Sequence, residues 1–324
     1  MSYKYSIRLA KCRKRDKREN DGTKSLHPAK SNTFTASNTF IMLTFSPKDT
    51  PQNIFHGLMV GAVAPRPICF ASTIDKDGKP NLSPFSFFNI FGSNPPIAIF
   101  SPALSGRTGK TKNTHDNVLE VPEVVINVVN YSMVQQASLA SAEYPKGVNE
   151  FEKSGFTPIP SEQVKPFRVK ESPVQFECEV LGVKQTGDGG GSGNLVICEI
   201  LLMHVSEDVM DSNKRIDPNK IDLVGRMGGS WYCRASGKAL FEQPQPGHLL
   251  GMGVDALPAS IRNSKILTGN NLGLLGNTPK LPDMQGYVSP ETFASEEELH
   301  KAAQKLIETH RVEEAWKLLI ANTK

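Results

Sequence analysis

No stretch of this 324-residue sequence approaches the roughly eighteen consecutive apolar residues that a membrane-spanning helix requires, so we expect a soluble protein without a membrane partner. It has no Ser-His-Asp grouping, paired-carboxylate motif or His-rich metal spacing, which argues against a hydrolase or a metalloenzyme. The few cysteines are odd in number and lack Cys-x-x-Cys spacing: Cys12, Cys69, Cys178, Cys198 and Cys233. This pattern argues against a disulfide framework and a structural zinc site, and it favours a reducing, cytoplasmic location.

Excess positive charge is confined to the start of the chain, although the formal net charge of the whole is +4. Residues 1–41 hold ten Lys or Arg and three Asp or Glu, so residues 42–324 carry a net charge of −3. A nucleic-acid arm and a transit peptide are two interpretations of such a segment. Its basic run, residues 11–18, contains neither interleaved aromatic residues nor the apolar core of a signal peptide, and the body of the chain, residues 42–324, is acidic. The sequence therefore predicts a disordered basic tail over residues 1–41 and no nucleic-acid partner.

A polar β-hairpin is predicted near the start of this acidic body. Ile68 to Ile74 is β-branched and aromatic, residues 75–78 form an Asp-Lys-Asp-Gly turn, and a second strand returns from Asn81. Polar residues recur through both strands: Ser72, Thr73, Asn81, Ser83, Ser86 and Asn89. With the neighbouring phenylalanines they suit a planar heterocycle that bears a phosphate. A plain amphipathic hairpin with its polar side in water is the alternative.

A basic loop follows the next predicted strand. Residues 95–101 are apolar and bounded by prolines, which predicts a buried strand. Arg107, Lys110 and Lys112 then occur with several hydroxyls in a Gly-containing loop that leads into a helix or strand. Cationic side chains and backbone N–H groups together form a pocket that suits phosphate. A solvated basic loop is the common alternative, since the spacing is not that of a nucleotide-triphosphate P-loop.

Further strands are predicted downstream. Apolar and polar residues alternate from residue 174 to residue 183, which predicts a core face and a wet face, the latter with Gln175, Glu177 and Glu179. The Gly-rich residues 187–193 precede a strand, so they predict a hairpin connection and not a dinucleotide-binding turn. Trp231 and Tyr232 follow two glycines. For them, a core aromatic pair and a ligand-facing role are equally open.

Beyond residue 246 the composition changes. Residues 247–290 are rich in Gly, Asn, Leu and Pro, which predicts an ordered but irregular arm. Residues 295–298 form a capping box, and two apolar stripes with helical spacing follow it: Leu299, Ala302, Ala303, Leu306 and Ile307, then Val312, Ala315, Trp316 and Leu319. We assign no catalytic constellation to this extension.

The motifs of the body resemble those of the flavin reductase-like family, the FMN-binding split barrels related to flavoredoxin. That family carries a Pro-Arg-Pro entry, a Ser-Thr strand end, an Asp-x-x-Gly turn and an Asn-Leu-x-Pro-x-Ser-Phe-x-Asn return, and residues 65–89 match each element. In its Lys-Asp-Thr-x-x-Asn element, Asn113 replaces the Asp, while Lys112, Thr114 and Asn117 match. Residues 226–232 resemble its Arg-x-Gly-Gly-x-x-Tyr segment, so the resemblance runs from about residue 42 to about residue 246.

The resemblance implies a mainly β fold. An antiparallel split β-barrel with peripheral helices is expected over residues 42–246, paired as a homodimer around FMN, with a C-terminal arm and helical extension over residues 247–324. Hydride would pass from NADH or NADPH to flavin and on to a flavin or redox-protein acceptor. A flavin-binding electron carrier without its own small-molecule turnover is the alternative.

The resemblance also implies a set of site residues. The FMN phosphate is expected to contact Arg107, Lys112, Thr114 and Asn117. The ribityl chain and the ring are expected to lie along the return of the hairpin, near Ser72, Thr73, Asn81, Leu82, Ser83, Ser86, Phe87, Phe88 and Asn89. Because the cofactor supplies the redox chemistry, no side chain is required as an acid or a base, and we assign no catalytic residue and no metal ligand.

Overall fold

The structure is a computed structural model and describes residues 42–243 and 249–322. The chain divides into two units, the first ending at Leu240 and the second beginning at Phe241. The basic tail predicted over residues 1–41 lies outside the described residues. Within the described ranges, none of the helices is both long enough and apolar enough to cross a membrane.

The first unit is strand-rich, with helices in the connections. Its strands are β1 Cys69–Ile74, β2 Pro80–Phe85, β3 Phe88–Ser93, β4 Pro96–Phe100, β5 Glu123–Val128, β6 Pro158–Ile159, β7 Arg168–Val169, β8 Val174–Gln185, β9 Asn194–Val205, β10 Leu223–Arg226 and β11 Tyr232–Ala235. Its α-helices are α1 Gln52–Ala62, α2 Asn113–Glu120, α3 Val134–Leu139, α4 Glu150–Ser154 and α5 Pro218–Ile221.

The central sheet has seven strands in the order β2-β1-β5-β8-β9-β4-β3, and each neighbouring pair is antiparallel. Strands β2 and β3 form the two edges of this sheet, yet only Ser86 and Phe87 separate them along the chain. A link of two residues cannot cross five intervening strands, which are about 4.8 Å apart, unless the sheet curls until its edges approach each other. The topology is therefore that of a split barrel, as predicted.

Apolar side chains pack on both faces of the curled sheet. One cluster joins residues of β1, β5, β8, β9 and β4, including Cys69, Ile126 and Phe100. The next residue of β1, Phe70, points the other way and packs with Leu82, Met133 and Phe151 under α3 and α4. Strand β1 is buried on both sides and belongs to the centre of the unit.

Two details of the predicted strands were wrong. The return of the hairpin is not one strand, because β2 ends at Phe85 and β3 begins at Phe88 on the opposite edge of the sheet. The wet face predicted for β8 is wet only at Glu179, since Gln175 and Glu177 are buried. Residues 162–164 cover Glu177, donating three backbone N–H groups to its carboxylate.

Residues 54–60, before the hairpin, suit either a short helix or a turn by their sequence, and α1 shows that they form a helix. Its C-terminal end is tied to the sheet by Arg66. The guanidinium of Arg66 donates to the carbonyl oxygens of Val60 (2.5 Å) and Val63 (2.7 Å), and to that of Met227 (3.0 Å). Burial, with Arg226 nearby, lowers the pKa of Arg66. The Arg of the Pro-Arg-Pro motif therefore serves the architecture, joining α1 to the segment after β10.

The second unit is helical and has its own core. It contains α6 Ala259–Arg262, α7 Gly269–Gly276, α8 Glu296–Glu308 and α9 Val312–Asn322. The side chain of Ser295 accepts the backbone N–H of Glu298, so the predicted N-terminus of α8 is confirmed. Trp316 lies at the centre of the apolar cluster, with Leu275, Ile307 and Leu319 around it.

Candidate functional site

Four of the predicted site residues form a buried polar network at the turn end of the hairpin. The amide nitrogen of Asn81 donates to Thr114 Oγ1 (2.9 Å) and to Thr73 Oγ1 (3.3 Å). The amide nitrogen of Asn117 donates to the same Thr73 oxygen at 3.1 Å. Because Thr73 faces Asn81 across the β1–β2 ladder, these contacts fix the N-terminal half of α2 against the hairpin. The four side chains of this network are thus hydrogen-bonded to each other.

Ser72 and Leu82 lie on the opposite face of the hairpin from this network, since neighbouring residues of a strand alternate. The Ser72 hydroxyl is buried and has no hydrogen-bond partner among the described residues. Leu82 is fully buried in an apolar cluster, and its backbone N–H donates to Glu150 Oε2 at 3.1 Å. Glu150 is the first residue of α4, and burial raises the pKa of its carboxyl group.

Arg107 and Lys112 meet at one carboxylate, that of Glu143. Arg107 Nη2 lies 2.6 Å from Glu143 Oε2, and Lys112 Nζ lies 2.5 Å from Glu143 Oε1. Hydrogen bonds from Lys112 and then Arg107 lower the pKa of Glu143 to about 2. The sequence predicted both cations at a phosphate, and the structure brings them together around an anion of the chain itself.

The N-terminus of α2 lies next to this pair of cations. Lys112 is the N-cap residue, and no side chain caps that end among the described residues. A helix N-terminus carries free N–H groups and a partial positive charge, so it adds to the field of the two side chains. The whole set favours an anion with several oxygens.

A cleft opens at the other end of the hairpin. It is lined by the end of β2, by one side of α3 and by the β10–β11 pair: Ile68, Pro84, Phe85, Ser86, Val129, Val134, Ala137, Ser138, Ser141, Arg226 and Tyr232. Apolar and aromatic groups form its walls, and three serine hydroxyls and a guanidinium lie among them. This composition suits a flat ring with polar edges.

Arg226 has unused hydrogen-bonding capacity in this cleft. Its Nη1 donates to the Tyr232 hydroxyl at 3.1 Å and its Nη2 to the carbonyl of Gly229 at 3.1 Å. Its Nε is buried and has no partner among the described residues. The guanidinium carbon also lies 5.1 Å from the centre of the Tyr232 ring. A ligand with a hydrogen-bond acceptor would satisfy the remaining N–H.

Trp231 and Tyr232 do not form a core aromatic pair, because the exposed fractions of their side chains are 78% and 37%. Tyr232 lines the cleft and also a second pocket, which runs along α3 to Tyr131 and Arg234. In that second pocket the Arg234 guanidinium lies 4.0 Å from the centre of the Tyr131 ring. Of the two roles that the sequence left open, the ligand-facing one fits Tyr232.

The cleft and the cation pair are neighbours along the chain. Ser141 lines the cleft, and Glu143, two residues later, contacts both cations. Two residues span at most about 7 Å, so the two places lie within the reach of one elongated ligand.

The remaining predicted residues lie along the link between the two sheet edges. Ser83 and Ser86 are half-buried, and Ser86 lines the cleft. Phe87 is exposed, with its ring edge-on to His56 at 6.3 Å between ring centres. Phe88 packs against the apolar cluster that contains Cys69 and Phe100. Asn89 is exposed, and its side chain accepts the N–H of Ile90. Asn81 and Asn89 therefore stand on opposite edge strands.

Sequence reasoning missed several residues of this site, namely Ser138, Ser141, Glu143 and Arg226. A signal existed for two of them, since Ser138 and Ser141 lie in a run of mostly small residues, 137–142. For Glu143 the sequence carried no signal, because its partners lie more than thirty positions away along the chain.

The family model for the flavin reductase like domain matches residues 61–219. An uncharacterized protein of Aquifex aeolicus is 38% identical over 197 residues, which are 60% of this chain and 97% of that protein. The chain belongs to the flavin reductase-like family. The hairpin, the basic loop and strands β1 to β9 all lie within the residues that the family model matches.

Two solved structures agree with this assignment. Nitrilotriacetate monooxygenase component B from Bacillus cereus is 28% identical with a TM-score of 0.58, and the match covers 64% of this chain and all of that one. A Shewanella frigidimarina protein described as a flavin reductase with a split barrel domain is 25% identical with a TM-score of 0.54, over 63% of this chain and all of that one. The split-barrel fold and the relation to flavin proteins are therefore shown.

Proposed function

We propose that this family member binds FMN and is an oxidoreductase of the flavin reductase type, which passes hydride from NADH or NADPH to flavin and on to an acceptor. The observation that supports this most is the position of the Arg107–Lys112 pair next to the Ser86–Tyr232 cleft. An anion site and a flat, partly polar cleft within one ligand's reach match the two ends of a flavin mononucleotide.

The residues present fit such a ligand at both ends. In the cleft, the Nε of Arg226 is a buried donor with no partner among the described residues, and the Tyr232 and Phe85 rings provide flat surfaces. At the other end, Lys112, Arg107 and the uncapped N-terminus of α2 are suited to a phosphate. FMN rather than FAD is our choice because the cations lie so close to the cleft.

When bound, FMN supplies the hydride and electron chemistry. The chain would orient and hold it. The network of Thr73, Asn81, Thr114 and Asn117 fixes α2 on the hairpin, so it sets where Lys112 stands relative to the cleft. The pocket that continues past Tyr232 to Tyr131 leaves room for a second planar group beside the first, and we propose it for the nicotinamide or the acceptor.

The direct test is the absorbance spectrum of the purified protein between 300 and 550 nm, before and after anaerobic addition of NADH or NADPH. A flavin spectrum that bleaches supports the reductase, and the more effective nucleotide identifies the donor. A flavin spectrum that persists favours the electron carrier. If no flavin is present even after soaking with FMN, the proposal is wrong.

Replacing Lys112 by Ala is expected to weaken FMN binding by about 1 to 3 kcal/mol, because a charge-assisted contact to the phosphate is lost. Quenching of flavin fluorescence during titration of the apoprotein measures the dissociation constant. Lys110→Ala is the matched control, since Lys110 is an exposed lysine of the same loop and its side chain makes no described contact. An unchanged constant for Lys112→Ala would remove Lys112 from the site.

We also propose that two copies of the chain pair through α1. This helix is apolar but has no buried residue in the single chain, and Ile54, Leu58 and Met59 are exposed on it. An exposed apolar helix of this kind marks an interface. A second copy of the chain is the partner that the family resemblance implies.

Leu58→Glu is accordingly expected to convert a dimer into a monomer, because a carboxylate would be buried without a partner at the interface. Light scattering coupled to size-exclusion chromatography measures the mass. Leu119→Glu changes a more exposed leucine, on α2, and should leave the mass unchanged. A wild-type chain that is monomeric at every concentration tested would contradict the pairing.

A further inference from the structure

Glu143 holds the two cations that the proposed function assigns to the phosphate. Its two carboxylate oxygens are divided between them, Oε2 to Arg107 at 2.6 Å and Oε1 to Lys112 at 2.5 Å. The described contacts of the Glu143 side chain are with these two residues. The carboxylate therefore bridges the two cations with one oxygen each, which is the contact that the proposed function assigns to a phosphate.

Protonation does not release this carboxylate at neutral pH. The pKa of Glu143 is about 2, because Lys112 and then Arg107 donate hydrogen bonds to the ionised form. A phosphate that approaches the pair therefore meets a full negative charge. Each like charge near the site weakens its attraction, although solvent screens the effect, since Arg107 and Glu143 are largely exposed.

We propose that Glu143 is an internal counter-anion that competes with the flavin phosphate for Arg107 and Lys112. When the phosphate is absent, Glu143 keeps the two cations together and compensates their charge. When the phosphate arrives, Glu143 gives up at least one of them. The consequence is selective, since binding of the phosphate end is weakened while binding of the ring end is not.

This inference rests on the proposed function and assigns a regulation to its site. By weakening the phosphate contact, Glu143 would allow flavin to leave and be replaced, so the flavin would act as an exchangeable substrate and not as a permanently bound group. It would also reduce the preference of the protein for FMN over riboflavin, which has the same ring and no phosphate.

The test is Glu143→Gln, which keeps the size of the side chain and removes its charge. FMN and riboflavin are titrated into the full-length apoprotein, and flavin fluorescence is followed. We expect the dissociation constant of FMN to fall by about five- to thirtyfold, the scale of a charge-assisted contact. The constant of riboflavin should change by less than about twofold, and the gain for FMN should shrink in about 1 M salt.

Glu120→Gln is the matched control. Glu120 is an acid at the end of α2 that lies 3.7 Å from Lys146 and has no contact with Arg107 or Lys112. The Glu120→Gln substitution removes one negative charge from the helix that begins after Lys112. It leaves the Arg107–Lys112 contacts in place, so the preference for FMN over riboflavin should stay unchanged. An equal gain in both variants would indicate a general charge effect and overturn the competition at Glu143.

The same titrations separate the proposed function from the competition at Glu143. If the wild type binds FMN and Glu143→Gln binds it no more tightly, or more weakly, then Glu143 supports the site and the competition is wrong while the proposed function stands. If neither protein binds FMN, the proposed function is wrong and the competition is wrong with it. A parallel gain for riboflavin would place the effect in the cleft, and this result also overturns the inference.

Discussion

Replacing Glu177 by Ala is expected to lower the free energy of unfolding of the first unit by about 3 to 5 kcal/mol. The side chain is fully buried, and its carboxylate accepts the backbone N–H groups of residues 162–164 at 2.6 to 3.3 Å. His204 Nε2 lies 2.8 Å from Oε1 of the same group. The Ala variant would leave these donors without their acceptor and detach the covering loop from β8.

The effect has a defined pH dependence. Burial pushes the pKa of Glu177 up, but hydrogen bonds from Gln163 and Glu162 and from His204 outweigh it and leave the pKa below its usual value. The stabilisation is therefore complete above the unfolded pKa of about 4.3 and is lost as the pH falls through the lower folded value. The gap between wild type and variant should be constant near neutral pH and should narrow in acid, where the contribution of the charge is lost.

Thermal unfolding followed by circular dichroism measures this prediction. For a unit of this size the shift in midpoint would be roughly 6 to 20 °C. Glu179→Ala is the control, because Glu179 lies two positions along the same strand and is exposed. A midpoint that falls equally in both variants would contradict the role given to Glu177.

The second large effect is expected for Trp316→Ala, which should strongly destabilise the helical unit while the first unit stays folded. Trp316 is completely buried, and its Nε1 donates to the Leu275 carbonyl and to Thr278 Oγ1, each at 3.2 Å. Truncation of a buried Trp costs about 3 to 5 kcal/mol. A unit of 84 residues has a total stability of roughly 4 to 13 kcal/mol, so this loss takes a substantial part of it and, at the lower end of that range, all of it.

Calorimetry of the full chain separates the two units if each melts with its own transition. The variant should lose the transition of the helical unit, or show it at a much lower temperature, and keep the transition of the first unit. Trp231→Ala is the matched control, since Trp231 is the other tryptophan of the chain and is largely exposed. Loss of both transitions in Trp316→Ala would show that the barrel depends on the helical unit.

The sequence predicted those parts of the fold that depend on local chemistry. The β1–β2 hairpin, the β8–β9 connection and the cap of α8 follow from turn residues, periodicity and capping residues that are neighbours along the chain. The break at Ser86 was missed because polar and aromatic residues continue through it without a turn signal. What divides the two strands is the closure of the sheet, which no local pattern encodes.

The site shows the same division. The cations Arg107 and Lys112 were predicted to act together, and the structure brings them to one carboxylate.

Outside the site, Glu177 was predicted to be a surface residue, because alternation describes the strand alone and not the loop that covers it. The boundaries predicted at residues 41 and 246 stay predictions, and so do the individual contacts with FMN.

The strand order also has a consequence for the order in which the chain can fold. The β1–β2 and β3–β4 hairpins join residues close in sequence, so each can form soon after it leaves the ribosome. Strand β4 meets its second partner, β9, only about a hundred residues later, because Ile97 pairs with Glu199. Until then the nascent chain carries unpaired edges on β4 and β8, and the arrival of β9 pairs both of them and joins the two halves of the barrel.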